Sequence, residues 1–574
     1  EMALLSLRFL AGASLAESCS NFIATKGATV DGTNHLGYNS DGFSFYGYMT
    51  HLPAADHAPG EMREVVEFGT GIYKGSIPEA PHTYNVIGNM NEHQLAIGET
   101  TFDGVQILHN QPGAIIDYYS LMWITLQRAR TAREAITTMD RLTREYGYAS
   151  TGETFSIIDA DEAWIMDFIG RGPNETGAVW VARRLPEGHV CAHANHARIT
   201  TFPRDSEDTI YSPDIVSFAK RLGLYSHDGA DEDFSFSDAF DPLTPYTAMM
   251  CEARVWDMFR QVAVDPGFEN KYLDYARGLD LRKRMPLFVE ARQLTLNDTM
   301  WLMRSHYEGS WFDARKDLGA APFASPYRAR PLGFKVDGEQ YALNRNVGYL
   351  GTFFNFVAHA RGTMPGPTCA GGVIWFGVDD ASTGVRVPMY ACTREAPETF
   401  AFGNGDTDRY ERRAAYWAFN TVANFAYSRW NLIGNDVQSR VVATEAKLFR
   451  QVSQADSEVA SAAEYGESEE MIAVALSNFS IAAANTVVDA WVDYFPSLMV
   501  RYRDFLVVSA PAPPPAGPKD GPARPHIKSA PYDEDWYGSL AKATGNRYRV
   551  PAADPVLESH ARLKSRLLDR LNVQ

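Results

Sequence analysis

CSNFIATKGATVDGTNHLGYNSDG, residues 19–42, is a series of short apolar-rich runs cut by Gly, Asn and Asp. That punctuation reads as strands joined by tight turns. YNVIGNMNEHQLAIGETTF, residues 84–102, repeats it. A helical stretch follows over residues 115–146, in which Thr131 and, three residues on, Glu134 form a capping-box pair, so two helices are expected rather than one. ETFSIIDADEAWIMDFIG, residues 153–170, then gives two strands around a turn at Asp159 to Glu162. AVWVARRLPEGHVCAHANHARI, residues 178–199, does the same around Pro186, Glu187 and Gly188. Strands, two helices and strands again imply a layered α+β fold, not an alternating parallel one.

Farther along, residues 212–315 read as mostly helical, 331–392 as a second strand-rich block and 412–505 as helical again. The longest apolar helix, MIAVALSNFSIAAANTVVDAWVDYF at residues 471–495, carries Asn478, Asn485, Asp489 and Asp493. It reads as a buried amphipathic helix, and no transmembrane segment is expected. Residues 510–525 are Pro-rich, and an apolar stripe of Val556, Leu563, Leu567 and Leu571 marks a tail helix that docks on the body.

The chain has 574 residues, 45% of them hydrophobic, and a formal charge of −18. It is too apolar for a disordered chain, and its acidity argues against nucleic acid and anionic membrane surfaces as partners. The five cysteines, Cys19, Cys191, Cys251, Cys369 and Cys392, include no C-x-x-C pair, so neither a disulfide framework nor a zinc ribbon is expected. Cys191, Cys251, Cys369 and Cys392 read as inert buried thiols. Cys191 and His193 would share one strand face, with His196 on the other, so they are not expected to share a metal. No phosphate loop and no G-x-S-x-G elbow is present.

Residues 2–16, MALLSLRFLAGASLA, have the length of a signal-peptide apolar region, although Arg8 interrupts it. A signal peptide there would imply a secreted, vesicular or lysosome-like destination; otherwise the chain would be cytoplasmic.

Residues 19–42 and GNMNEHQLAIGETTFDG at 88–104 together resemble the cysteine-dependent dipeptidase family that includes secernins, within the N-terminal-nucleophile hydrolases. The resemblance continues in order through residues 117–136, 146–170, 177–202, 252–260, 371–381 and 416–430, so it covers roughly 19–505. It implies a four-layer αββα sandwich with helical insertions. Three regions follow: residues 1–18 as propeptide or signal-like segment, 19–505 as the hydrolase domain, and 506–574 as Pro-rich linker and helical tail.

By the same resemblance Cys19 is the nucleophile, freed by cleavage of the Ser18–Cys19 bond so that its α-amine can take the thiol proton. An α-amine with a pKa of about 7.7–8.0 suits a thiol near 8.5, whereas an amide nitrogen has no such basicity. Asp41 matches the acid that orients this amine, and Asn195 and Thr101 match oxyanion or substrate contacts. Arg254 resembles the active-site arginine of the class. Asn39 and Glu99 are substrate-binding candidates, with Glu99 and Arg254 set against the amine and carboxylate of a dipeptide. Tyr38 stands where relatives carry Arg or Lys.

The expected reaction is hydrolysis of a dipeptide amide through a thioester at Cys19, with no cofactor and no metal. A non-peptide amide hydrolase of the same superfamily and an inactive protein retaining the fold are the alternatives. Homo-oligomer or larger assembly stays open.

Overall fold

The computed structural model describes residues 19–109, 111–509 and 525–552. The expectations for residues 1–18, for the Pro-rich stretch and for the tail helix near Leu563 fall on residues outside these, wholly or almost so.

β1 (Ser20–Ala24) and β2 (Asn34–Asp41) form an antiparallel hairpin that pairs Ser20 with Asn39 and Ala24 with His35. β3 (Ala96–Phe102) is the first long strand of a second sheet. α1 (Tyr118–Leu126) and α2 (Ala132–Tyr146) are separate helices, as the capping pair implies. The Thr131 hydroxyl accepts from the Glu134 N–H at 3.2 Å, while the Glu134 carboxylate accepts from Arg130 N–H at 2.7 Å, one residue off the reciprocal bond.

β4 (Gly152–Ile158) and β5 (Ala163–Gly170) pair around a turn held by Asp159, whose carboxylate accepts from the N–H groups of Asp161 and Glu162, both at 2.7 Å. β6 (Ala178–Arg184) stays in that sheet, but β7 (His189–His193) pairs with β1 in the first one. The turn at Pro186 to Gly188, with Gly188 at φ +77°, therefore carries the chain between sheets instead of closing a hairpin.

α3 (Ala253–Val262) and α4 (Leu296–Leu302) follow. β8 (Thr352–Ala360), β9 (Gly372–Val378) and β10 (Val387–Tyr390) complete the first sheet, before α5 (Ala415–Tyr427), α6 (Asn435–Glu464) and α7 (Glu469–Tyr502).

The first sheet has seven strands, ordered Val289–Glu290, β7, β1, β2, β8, β9, β10, and the second has eight, running from Thr209–Tyr211 through β6, β5, β4 and β3 to three two-residue strands. Every pairing in both is antiparallel. The sheets face each other where β1 and β2 meet β3 and β4; α1 and α2 lie against the second sheet, and α3 to α7 against the first. With cover on both sides, strands such as β8 (TFFNFVAHA) and β9 (GVIWFGV) are buried at every residue and lose the usual apolar–polar alternation. The fold is α+β.

One expectation is corrected. Cys369 and Cys392, read as inert thiols, are joined in a disulfide with Cα atoms 5.0 Å apart. Cys369 precedes β9 and Cys392 follows β10, and their antiparallel register brings the two ends together. Cys191 and Cys251 remain free thiols, pushed by burial up to about 12 and about 11 respectively.

α7 is long and apolar enough to cross a membrane by length and composition. Here it packs along the first sheet with Leu476, Val488, Trp491 and Leu498 buried, and its Ser480 hydroxyl accepts from the Tyr390 N–H at 3.1 Å. Beyond it, residues 506–509 pair with 526–529, and Phe323 lies against both Phe505 and Tyr532 with ring centroids 6.1 and 5.6 Å away.

Candidate active site

Cys19 directly precedes β1, so the register sets it opposite the end of β2. Side chains alternate across a strand, which sends Tyr38 and Ser40 to one face of β2 and Asn39 and Asp41 to the other. The Cys19 sulfur lies with the first pair. It donates to Glu99 Oε1 at 3.5 Å and sits 3.9 Å from both Ser40 Oγ and Tyr38 Oη.

Tyr38 donates to Glu99 through a short hydrogen bond, and Ser40 Oγ bridges Tyr38 at 2.8 Å and Tyr119 at 2.6 Å. Burial pushes both phenols well above their ordinary range, with the neighbouring Cys19 and Glu99 charges adding to it, so they act as neutral donors. Glu99 reaches this point because the sheets approach closely at Gly98, where a Cβ would lie 3.2 Å from Asn21 and 3.3 Å from Tyr38.

Arg254, at the start of α3, is buried and uses its whole donor fork. Nε donates to Met250 O at 2.9 Å, Nη1 to Cys19 O at 2.5 Å and Ser20 Oγ at 2.9 Å, and Nη2 to Ala194 O at 3.2 Å and Asn195 Oδ1 at 2.9 Å. Burial, with Arg345 nearby, pushes it down to about 10. It is a clamp on the backbone around Cys19. Asn195 sits at φ +61° and donates to Thr101 O at 2.6 Å, and Thr101 Oγ1 donates to Glu99 Oε2 at 3.4 Å. Thr101, Asn195, Arg254 and Cys19 thus form one connected chain.

On the other face of β2, Asn39 donates to the carbonyls of Met303 and Val347 at 2.8 and 2.9 Å, pinning the segment that carries Arg345. Arg345 pairs with Asp41 through a short contact from Nη2, and Thr352 donates to Asp41 at 2.5 Å. Burial pushes the Asp41 carboxyl up to about 6, and Arg345, Thr352 and Arg254 pull against that. Arg345 is 3% exposed, and its Nε and Nη1 have no hydrogen-bond partner among the described residues. Its guanidinium stacks over Tyr349 at 4.3 Å, Tyr349 meets Phe43 edge-on at 5.6 Å, and Phe43 lines a cavity of about 470 Å³ with Tyr327, Arg330, Leu350 and Tyr427. Cys19 does not line that cavity.

All the sequence candidates meet around Cys19 and the end of β2. Ser40, Tyr119, Arg345 and Thr352 were not among them. Ser40 and Asp41 lie in NSDG, which looks like a turn but continues β2. Tyr119 had its signal in the DYYSL string; Arg345, 304 residues from Asp41, had none.

Cys191, His193 and His196 go to different places. His193 lies between the sheets, 2.7 Å from Thr100 Oγ1 and 2.6 Å from Ser156 Oγ, and burial pushes it down to about 3. His196 pairs with Glu252 at 3.1 Å, next to Arg198.

Residues 18–442 match Peptidase family C69, starting one residue ahead of Cys19. A probable dipeptidase A of Streptococcus pyogenes serotype M3 is 23% identical over 455 residues, covering 75% of this chain and 87% of its own length. A dipeptidase of Bifidobacterium longum is 22% identical over 489 residues, covering 77% of this chain and 83% of its own. A dipeptidase A of Lactobacillus helveticus is 23% identical over 314 residues, covering 54% and 57%. With its N-terminal motif, its ordered matches and three quarters of its length aligned, the chain belongs to peptidase family C69, a cysteine peptidase family of the N-terminal-nucleophile clan.

Proposed function

We propose that this chain is a dipeptidase that uses Cys19 as an N-terminal nucleophile. The observation that carries this reading is Cys19 itself, its thiol donating to Glu99 and its backbone carbonyl held by Arg254. The facing sheets with helices outside them support the αββα sandwich of that class. Removal of residues 1–18 gives Cys19 a free amine, which takes the thiol proton as sulfur attacks the scissile carbonyl. The Asn195 amide, with one N–H on Thr101 O, has a second for the developing oxyanion, and the Thr101 hydroxyl joins it by turning away from Glu99. The protonated amine passes its proton to the leaving nitrogen, and water then opens the thioester. Arg254 holds the Cys19 carbonyl still, and Asp41 orients the new amine.

A dipeptide carries an ammonium and a carboxylate on the Cα atoms that flank the scissile bond, about 3.8 Å apart across a trans peptide. Glu99, 3.5 Å from the sulfur, suits the ammonium. Arg254 has spent its donors on the backbone, so Arg345 is the better carboxylate partner. The Cys369–Cys392 bridge supports an oxidising compartment, and with it an exported destination.

The test compares a dipeptide panel with the same compounds N-acetylated or C-amidated, and with non-peptide acyl amides. Free dipeptides are expected to be turned over far faster than their N-acetylated or C-amidated forms; turnover of acyl amides alone would contradict the proposal.

A further inference from the structure

Away from Cys19, the β1–β2 turn and β8 bring three metal-ligating side chains to one point. His35 in β2 and His359 in β8 are direct cross-strand partners, with ring centroids 5.1 Å apart. Cross-strand partners share a sheet face, so both imidazoles are set by the register of two buried strands. Asp31 comes from the turn: its Oδ2 is 3.0 Å from His359 Nε2 and its Oδ1 3.7 Å from His35 Nε2. The ligand atoms all lie within 4.8 Å of one another.

His35 Nδ1 is 3.1 Å from Thr299 Oγ1, a contact that fixes the ring with Nε2 toward the cluster. Thr33 Oγ1 lies 2.7 Å from Asp31 Oδ1 and 3.1 and 2.9 Å from the two Nε2 atoms. Asp31 is exposed while both histidines are buried, which opens the cluster to solvent on the Asp31 side. His35 and Ser40 are five positions apart on β2, so the cluster stands roughly 16 Å from the nucleophile end at 3.3 Å per residue.

We propose that Asp31, His35 and His359 bind one first-row divalent cation, zinc being the best match, with the Thr33 hydroxyl or water as fourth ligand. Zinc bonds of about 2.0–2.1 Å in a tetrahedron set ligand atoms roughly 3.3 Å apart, inside the span of separations found here. Two imidazoles and a carboxylate are a zinc-type donor set. In the metal-free network His359 Nε2–H donates to Asp31. Cation binding through the Nε2 lone pair moves that proton to Nδ1, and the Asp31 oxygen passes from acceptor to ligand. The bound ion would staple the hairpin that carries Cys19 and Asp41 to β8.

The test is titration of the full-length, chelator-dialysed protein with zinc by calorimetry, and with cobalt by visible absorption. One zinc per chain and the intense cobalt bands of a tetrahedral site are expected. Asp31→Asn, at an exposed turn that keeps the fold, and His359→Gln should each weaken binding at least 100-fold, and Thr299→Val about 10-fold. Absence of stoichiometric binding would overturn the proposal, as would zinc affinity unchanged in a folded Asp31→Asn protein.

Discussion

The Arg345 guanidinium is in direct contact with the buried Asp41 carboxylate, across 304 residues of sequence. This pair lies on the face of β2 opposite the Cys19 sulfur, at the point where the strand ends. Arg345→Ala would leave Asp41 buried without its partner and should cost about 3–5 kcal/mol of stability, read as a lower urea midpoint. Arg345→Lys keeps a charge and should recover part of that loss. In the folded Lys variant KM for dipeptides should rise more than kcat falls, with C-amidated substrates little affected. Equal losses on free and amidated substrates would remove Arg345 from substrate binding.

Glu99 accepts from the Cys19 thiol at 3.5 Å and from Tyr38. Glu99→Gln removes the charge offered to a substrate ammonium. Hydrogen bonds to charged groups contribute about 1.5–3 kcal/mol, so kcat/KM for dipeptides should fall roughly 10- to 150-fold. N-acetylated dipeptides, turned over poorly by the native enzyme, should lose much less. Parallel losses on both would mark Glu99 as structural.

His193 is neutral in the fold, pushed down to about 3 by burial, with Arg198 adding to the effect. Its ordinary value is about 6.5, so between these values the unfolded chain binds a proton that the native chain does not. Its contribution is full above about 6.5 and is lost as pH falls toward 3, with a slope of up to about 1.4 kcal/mol per pH unit. Urea midpoints from pH 7 to pH 4 should fall more steeply for the native protein than for His193→Gln. Matching slopes would contradict the assignment.

The Cys369–Cys392 bridge closes a loop of sequence separation 23. Chain-entropy reasoning gives it about 3 kcal/mol, so Cys392→Ser should lower the thermal midpoint while kcat on dipeptides stays within about two-fold. The bridge lies outside the site around Cys19, so a large loss of kcat would show a coupling absent from the contacts.

Sequence pattern reached as far as local chemistry and ordered motifs go. Cys19, Asp41, Glu99, Asn195 and Arg254 sit inside recognisable strings, and the fold brings them together. The α1–α2 break was legible because Thr131 caps α2 through a bond only three residues long. What stayed hidden depends on strand register. The pairing of β7 with β1 rather than β6, the Cys369–Cys392 bridge and the Arg345–Asp41 contact all join segments through sheets whose order no local pattern records. Asp31 and His359, 328 residues apart, are hidden for the same reason.

The most direct test of the nucleophile is the intact mass and N-terminal sequence of the active protein, taken beside a Cys19→Ala variant. A chain that begins at Cys19 and hydrolyses dipeptides is expected, with the variant both unprocessed and inactive. Dipeptide hydrolysis by a chain that still carries residues ahead of Cys19, or by the Cys19→Ala protein, would contradict it.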